Sequence, residues 1–158
     1  MTRFAAPIAE QIWDMKYRFK DADGTPVDAS VEETWARIAR ALAQVEAEPD
    51  VWEPRFAEAL SDFRFLPAGR ITAGAGTARS VTLFNCFVMG TVPDSMGGIF
   101  DALKEAALTM QQGGGIGYDF STIRPRGAAV HGVAADASGP LSFMDVWDAM
   151  CRTIMSAG

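Results

Sequence analysis

Apolar residues recur at helical spacing through the first third of the chain. Ile8, Ile12, Met15 and Phe19 follow such a spacing and predict a first helix, which ends at the turn sequence of residues 21–24. The hydrophobic pattern therefore predicts that the chain begins with a helical region.

Two further helices are predicted before residue 64. Ser30 is the expected N-cap of the second, because Glu33 follows it at the spacing of a capping box. The third is expected over residues 51–63, with Pro54 in its first turn. Their apolar stripes, interpreted as core, are Val31, Trp35, Ile38, Leu42 and Val45 in the second helix and Trp52, Phe56 and Leu60 in the third.

The pattern changes character at residue 65. Residues 65–70 and 74–76 have the composition of loops, whereas residues 80–88 carry apolar side chains on both faces and predict a strand covered on both sides. A helix is then expected over residues 96–112, and a second strand over residues 116–120. Its cap is predicted at Asp94 and Ser95, and its inward residues are Ile99, Leu103, Ala107 and Met110.

The last part of the chain predicts one more helix. Residues 124–140 have the composition of a long, partly mobile connection, and a helix follows over residues 141–156. One side of that helix carries Phe143, Trp147, Met150, Cys151 and Ile154. The order strand, helix, strand, helix is the start of an α/β fold. We therefore predict a helical region over residues 1–63 and the beginning of an α/β domain over residues 64–158.

Charge and composition narrow the classes of function. The net charge of −6 argues against broad binding to a nucleic-acid polymer, which needs a basic face. A single nucleotide needs only a few local groups. We find no signal peptide and no run of apolar residues that would span a membrane, and two cysteines do not indicate a disulfide scaffold. A cytoplasmic protein is expected.

Several residues could have a catalytic or binding role, and for each of them a purely structural role is also possible. Cys86 is expected on a buried strand, where a cysteine is usually inert, and Cys151 is expected to pack in a core. The glycine run 113–115 lets backbone approach a ligand, yet it lacks the spacing of a dinucleotide-binding motif and is more often a hinge.

Arg124 and Arg126 could bind phosphate or form a solvated turn. The single histidine, His131, and two distant cysteines give no spacing typical of a metal site.

Taken in order, six segments resemble the landmarks of ribonucleotide reductase large chains. These segments are FLPAGR (65–70), FNCFV (84–88), PDS (93–95), QQGGGIGYDF (111–120), IRPRG (123–127) and ASGPLSFM (137–144). The residues of the first segment resemble those of the adenosylcobalamin-dependent class. That class is also expected from the lack of an additional ATP-binding module before this segment. The resemblance implies the first strands and helices of a ten-stranded α/β barrel.

The resemblance also implies a thiyl-radical reaction that reduces a ribonucleotide, with a thioredoxin-like reductant. Cys86 matches a cysteine that protonates the departing 2′ hydroxyl and ends in a disulfide with a second cysteine. Asn85, Gly114 and Gly115 would lie against the substrate, a ribonucleoside di- or triphosphate. Gly69 and Arg70 would help to place its phosphates.

A second implied site binds a deoxynucleoside triphosphate effector beside a homodimer interface. Asp94 and Ser95 match positions that contact the ribose, and Arg124 matches a position that contacts phosphate. His131 falls where relatives often have arginine. The predicted helices 96–112 and 141–156 would form the dimer.

The family's radical cysteine, its second redox cysteine and its Asn/Glu pair are expected in the remainder of a catalytic chain, beyond residue 158. This chain is therefore expected to be inactive alone. Two alternatives stay open. One is a metal-radical reductase that needs a second subunit, and the other is a non-catalytic nucleotide-binding or dimerisation module of the same fold.

Overall fold

A computed structural model of the protein describes residues 3–132 and 134–154. The chain forms two compact units, residues 1–83 and residues 84–158. The division thus falls twenty residues after the predicted boundary at residue 63, because residues 69–76 pack on the helices of the first unit.

The described part of the first unit is helical. Its α-helices are α1 (Pro7–Ile12), α2 (Val31–Ala43), α3 (Pro49–Leu60) and α4 (Gly69–Gly74). A π-helical turn, Trp13–Tyr17, continues α1, and a 3-10 turn, Ser61–Phe63, continues α3. The core of this unit is built around Trp13, Trp35 and Ile38.

The first helix differs from its prediction in the face that it buries. Ile8, Ile12 and Met15 are exposed, Met15 at 75% of its surface, whereas Trp13 is buried. The indole N–H of Trp13 donates to the Thr34 hydroxyl at 3.1 Å. This bond and the wider π-turn direct Trp13, which lies outside the predicted stripe, into the core.

The second helix confirms the inward positions of Val31, Trp35 and Ile38. Val45 is exposed because the helix ends at Ala43. The capping box is incomplete: the Ser30 side chain makes no capping bond, and the Glu33 carboxylate accepts from the Ala29 N–H at 2.7 Å.

Two local predictions in the first unit are corrected. The third helix begins at Pro49, so Pro54 lies inside it and beyond its first turn. Residues 69–74 form the short helix α4, where a loop was predicted. Buried contacts with Tyr17 and Arg37 outweigh the weak helical tendency of this glycine-rich stretch.

The second unit has the predicted order of strand, helix, strand and helix. Its elements are β1 (Cys86–Thr91), α5 (Met96–Gln111), β2 (Gly115–Asp119) and α6 (Pro140–Thr153). The two strands are parallel, which a crossover through α5 requires. The α/β prediction is confirmed. Residues 155–156, predicted as the end of the last helix, lie outside the described residues.

The first strand lies later in the chain than predicted, and it is not covered on both sides. It begins at Cys86 because that residue pairs with Gly115, the first residue of β2. Residues 80–85 form no regular strand. Phe84 and Val88, which share one face of the predicted buried strand, are 70% and 96% exposed, so that face retains open apolar surface.

The core of the second unit lies among α5, α6 and β2. Ile99, Ala102 and Ala106 of α5 are buried, as is Trp147 of α6, with the rings of Tyr118 and Phe120 packed against Trp147. The inward position of Ile99 is confirmed. Ala102 and Ala106 are buried in this core, whereas Ala107 is half-buried. Leu103 packs against the core, and the half-buried Met110 contacts the Cys151 sulfur instead.

The described residues of the segment 120–139, which connects β2 to α6, form no helix and no extended strand. One isolated antiparallel bridge joins Ala129 to Asp136. The N–H of Gly127 donates to the Ala137 carbonyl, and the N–H of Ala137 donates to the Ala128 carbonyl. The described part of this predicted loose connection is therefore folded back on itself.

Candidate functional site

Cys86 lies at the amino-terminal end of β1, with Gly115 opposite it on β2. The Gly115 N–H donates to the Asn85 carbonyl at 2.8 Å. A Cβ atom at residue 115 would lie 3.1 Å from the Cys86 sulfur, so glycine keeps the space beside the thiol free. Cys86 is a free, exposed cysteine. The prediction of a buried position for it is wrong, because β1 has no covering layer there.

The glycine run between α5 and β2 has two distinct structural tasks. Gly113 has a φ of +91°, which makes the turn that ends α5. Gly114 is buried, and a Cβ there would lie 2.7 Å from the Phe87 ring. Gly115 instead borders the thiol. Asn85, Cys86, Gly114 and Gly115 are thus adjacent, while their predicted roles toward a substrate remain predictions.

Gly69 and Arg70 lie in the first unit, at the start of α4. A Cβ at Gly69 would lie 3.5 Å from the Tyr17 ring. Arg70 is half-buried, and it makes no hydrogen bond or ion pair with any described residue. A guanidinium without a partner among the described residues can donate hydrogen bonds to a bound anion.

The four predicted effector residues line one cavity in the second unit. Its volume is about 410 Å³, and its lining includes Asp94, Ser95, Arg124 and His131. Apolar side chains from α5 and α6 form part of the wall, among them Ile99 and Phe143. The fold therefore brings together residues that are up to 37 positions apart in the sequence, between Asp94 and His131.

Asp94 and Arg124 form the polar centre of this cavity. The Arg124 Nε donates to the Asp94 carboxylate at 2.9 Å, and the Arg124 backbone N–H donates to the same carboxylate at 3.2 Å. The cap prediction is confirmed for Ser95, whose hydroxyl accepts from the Gly98 N–H at 3.2 Å. Asp94 pairs with Arg124 instead of capping α5.

Sequence reasoning missed the far wall of the cavity. Asp136, Ala137 and Ser138 also line it, because the Ala129–Asp136 bridge folds the connection over the start of α5. Gly139, with a φ of +82°, lies so close to Arg126 that a Cβ would meet its backbone nitrogen at 2.8 Å. Glycine at this position was a sequence signal for the fold-back.

Two classes of site receive no support from the described ranges. Within residues 3–132 and 134–154, no three His, Cys, Asp or Glu side chains cluster to hold a metal ion. Over the same residues, no helix combines the length and the apolar character needed to cross a membrane.

Two family models together match nearly the whole chain. The all-alpha domain of ribonucleotide reductase matches residues 3–80, and the barrel domain of ribonucleotide reductase matches residues 84–158. The chain belongs to the ribonucleotide reductase large-chain family. The two matches follow the two compact units, so the chain holds the all-α domain and part of the barrel domain of this family.

Curated relatives carry two kinds of name. A vitamin B12-dependent ribonucleoside-diphosphate reductase of Mycobacterium tuberculosis is 34% identical over 90% of this chain and 21% of its own length. The one of Thermoplasma acidophilum is 39% identical over 66% of this chain and 13% of its own length. A ribonucleoside-diphosphate reductase subunit alpha of Helicobacter pylori is 37% identical over 83% of this chain and 16% of its own length. The chain therefore spans about a fifth or less of the length of these relatives.

Proposed function

We propose that this chain is the front part of the catalytic chain of an adenosylcobalamin-dependent ribonucleotide reductase. It supplies one redox cysteine, Cys86, and the predicted effector site. The observation that supports this proposal best is the exposed Cys86 thiol beside Gly115, in a segment that matches the barrel domain of the family.

The proposed reduction of the ribonucleotide at its 2′ carbon consumes two cysteine thiols. The Cys86 thiol donates its proton to the departing 2′ hydroxyl, which leaves as water. The C2′–O bond breaks, and a C2′–H bond forms with the hydrogen that the thiol of a second cysteine supplies. The two sulfurs give up two electrons and are joined as a disulfide, so the substrate becomes a deoxyribonucleotide. The Cys151 sulfur lies 3.5 Å from the Met110 sulfur, in the helical layer of the second unit. The second cysteine is therefore proposed to come from the remainder of the catalytic chain.

We assign none of the described residues to the binding of cobalamin. His131, the one imidazole in the sequence, lines the predicted effector cavity. The cofactor assignment is supported by the names of the B12-dependent relatives. In the complete enzyme, adenosylcobalamin would supply the radical that starts the reaction.

The cavity supports the effector proposal. Asp94 and Ser95 would bind the 3′ hydroxyl of the deoxyribose of a deoxynucleoside triphosphate, while Arg124 and His131 would bind its phosphates. Because α5 and α6 form its apolar wall, effector binding there would act on the elements proposed to form the homodimer. A thioredoxin-like reductant and a cytoplasmic location complete the proposal.

The test uses the complete catalytic chain, with ribonucleoside diphosphate and a dithiol reductant. We expect turnover with adenosylcobalamin, and we expect Cys86→Ser to abolish it. The matched control is Cys151→Ser, which should retain turnover. Retained activity in Cys86→Ser would refute the role of Cys86. Activity without cobalamin but with a metal-containing second subunit would instead assign the other class, which the relatives named subunit alpha support.

A second candidate is a non-catalytic nucleotide-binding or dimerisation module, favoured by the cavity that the four predicted effector residues line in the second unit. Calorimetry of this chain with dTTP and dATP separates the two. Binding by this chain, combined with no turnover by the longer catalytic chain, would favour the module.

A further inference from the structure

A buried ion pair joins α2 to the loop before it. The Arg37 and Asp28 side chains are only 10% and 4% exposed, and the Arg37 Nη2 lies 3.0 Å from the Asp28 carboxylate. The Arg37 Nε also donates to both oxygens of that carboxylate at 3.2 Å. The Thr34 hydroxyl donates to Asp28 at 2.7 Å and accepts from Trp13. The carboxylate is thus fixed from several sides.

The same guanidinium holds α4. The Arg37 Nη2 donates to the Thr72 carbonyl at 3.2 Å, and Nη1 donates to the Ala75 carbonyl. Gly76, with a φ of +72°, passes so close that a Cβ there would lie 2.8 Å from the Arg37 side chain. The carboxyl-terminal end of α4 is therefore held against α2 by backbone acceptors.

The start of α4 is supported differently. Its N-cap, Ala68, offers no side-chain capping bond, and a helix of six residues has little stability of its own. The Tyr17 ring packs against Gly69, and the Tyr17 carbonyl accepts a 3.4 Å hydrogen bond from Arg37. Arg37 thus acts at both ends of the helix.

An ion pair is a costly way to fill a core. A well-packed apolar pair of similar size is often equally stable, because both charges must lose their water. An apolar pair could not bind the carbonyls at residues 72 and 75. The guanidinium therefore adds a fixed geometry for α4, whose half-buried Arg70 has no partner among the described residues.

We propose that Arg37 is a positioning residue: it holds α4 so that Arg70 is presented to the phosphates of the nucleotide substrate. This inference rests on the proposed function and on the resemblance to ribonucleotide reductases, which implies that Gly69 and Arg70 help to place those phosphates. Arg37 itself touches no substrate and acts through Arg70.

The test is a double-mutant cycle in the complete catalytic chain. Arg37→Lys keeps the positive charge beside Asp28 but cannot reach all the carbonyls at once, so the fold is expected to survive. We expect Arg37→Lys and Arg70→Gln each to raise KM about tenfold with kcat nearly unchanged, as expected for lost substrate binding. The double variant should be no worse than Arg70→Gln alone, because coupled residues are not additive. Arg40→Gln, exposed on the same helix, is the matched control.

A second measurement does not depend on turnover. Amide hydrogen exchange in residues 69–77 should become about tenfold faster in Arg37→Lys, with α3 unchanged. A purely structural role would lower the active fraction without moving KM. Additive effects in the double variant, or an unchanged KM in Arg37→Lys, would overturn the proposal.

Failure of the proposed function gives a different result. A wild-type catalytic chain with no ribonucleotide turnover would refute that function, and hydrogen exchange would then decide the role of Arg37 in holding α4. Unchanged exchange in Arg37→Lys would overturn that role. An unchanged KM in Arg70→Gln would remove Arg70 from the site and the positioning proposal with it.

Discussion

Cys86 and Gly115 are register partners across the parallel strand pair, and the missing side chain at Gly115 leaves the Cys86 sulfur uncovered. A strand neighbour with any Cβ would approach that sulfur to 3.1 Å. A slip of one residue in this register would place a different residue beside the thiol and turn the side chains of β2 to the other face, so the observed register is what brings Gly115 to Cys86.

The first prediction concerns this contact. Gly115→Ala should lower the turnover of the complete catalytic chain by about tenfold or more, because displacing a reacting group by ~1 Å can cost up to about a hundredfold. Gly117→Ala is the matched control on the same strand, since a Cβ there meets its nearest neighbour at 3.9 Å. The rate of thiol alkylation, measured in a Cys151→Ser background, should fall only in Gly115→Ala. Equal rates in both variants would contradict the geometry.

The second prediction concerns the effector cavity. Arg124→Gln should weaken the binding of dTTP or dATP about tenfold or more, because a charge-assisted bond to phosphate is lost. Isothermal calorimetry at constant ionic strength measures the Kd. Arg126→Gln is the control, since Arg126 is exposed and does not line the cavity. Equal losses in the two variants would indicate general electrostatic attraction.

The third prediction compares two neighbouring glycines in the first turn of α5. A Cβ at Gly98 would lie 2.6 Å from Pro93 and 3.0 Å from the Ser95 hydroxyl, whereas a Cβ at Gly97 meets no atom within 4 Å. Gly97→Ala should stabilise the chain by about 0.4–1 kcal/mol. Gly98→Ala should destabilise it by about 1 kcal/mol or more and weaken nucleotide binding, because the cap is displaced. Thermal unfolding with and without dTTP checks both signs.

The fourth prediction concerns pH. Burial by itself would raise the pKa of Asp28, but hydrogen bonds from Arg37 and Thr34 outweigh it and hold that pKa below its usual range. Because the folded-state pKa is depressed, this contribution to stability is present above the unfolded value of about 3.9 and is lost as pH falls through the folded value.

Asp28→Asn should therefore lower the free energy of unfolding by about 3 kcal/mol near pH 7, since it leaves the buried Arg37 unpaired. The difference from the wild type should shrink below about pH 4. Denaturant unfolding from pH 3 to pH 8 measures it. Asp23→Asn, at an exposed position nearby, should change stability by less than about 0.5 kcal/mol. A difference that is constant with pH would show that the Asp28 charge does not contribute.

Local patterns predicted the order of elements and little of their exposure. Stripes such as Val31, Trp35 and Ile38 identified the buried face of α2, because helical periodicity is a property of neighbouring residues. The same reasoning chose the wrong face in α1, where a bond to Thr34 draws Trp13 inward. It also placed Cys86 in a buried strand. A strand's covering depends on distant segments that no local pattern reports.

The sequence by itself determined the family, since its ordered motifs agree with both family models, and it determined the α/β order of the second unit. Only the tertiary structure decided three contacts. Cys86 pairs with Gly115 across the strands, and Asp94 and Arg124 line one cavity. Arg37 donates hydrogen bonds to backbone carbonyls of α4. The physical reason is the same in each case. These are contacts between segments about 30 or more residues apart, formed by backbone pairing and by one charged side chain reaching several acceptors, and periodicity along the chain does not record them.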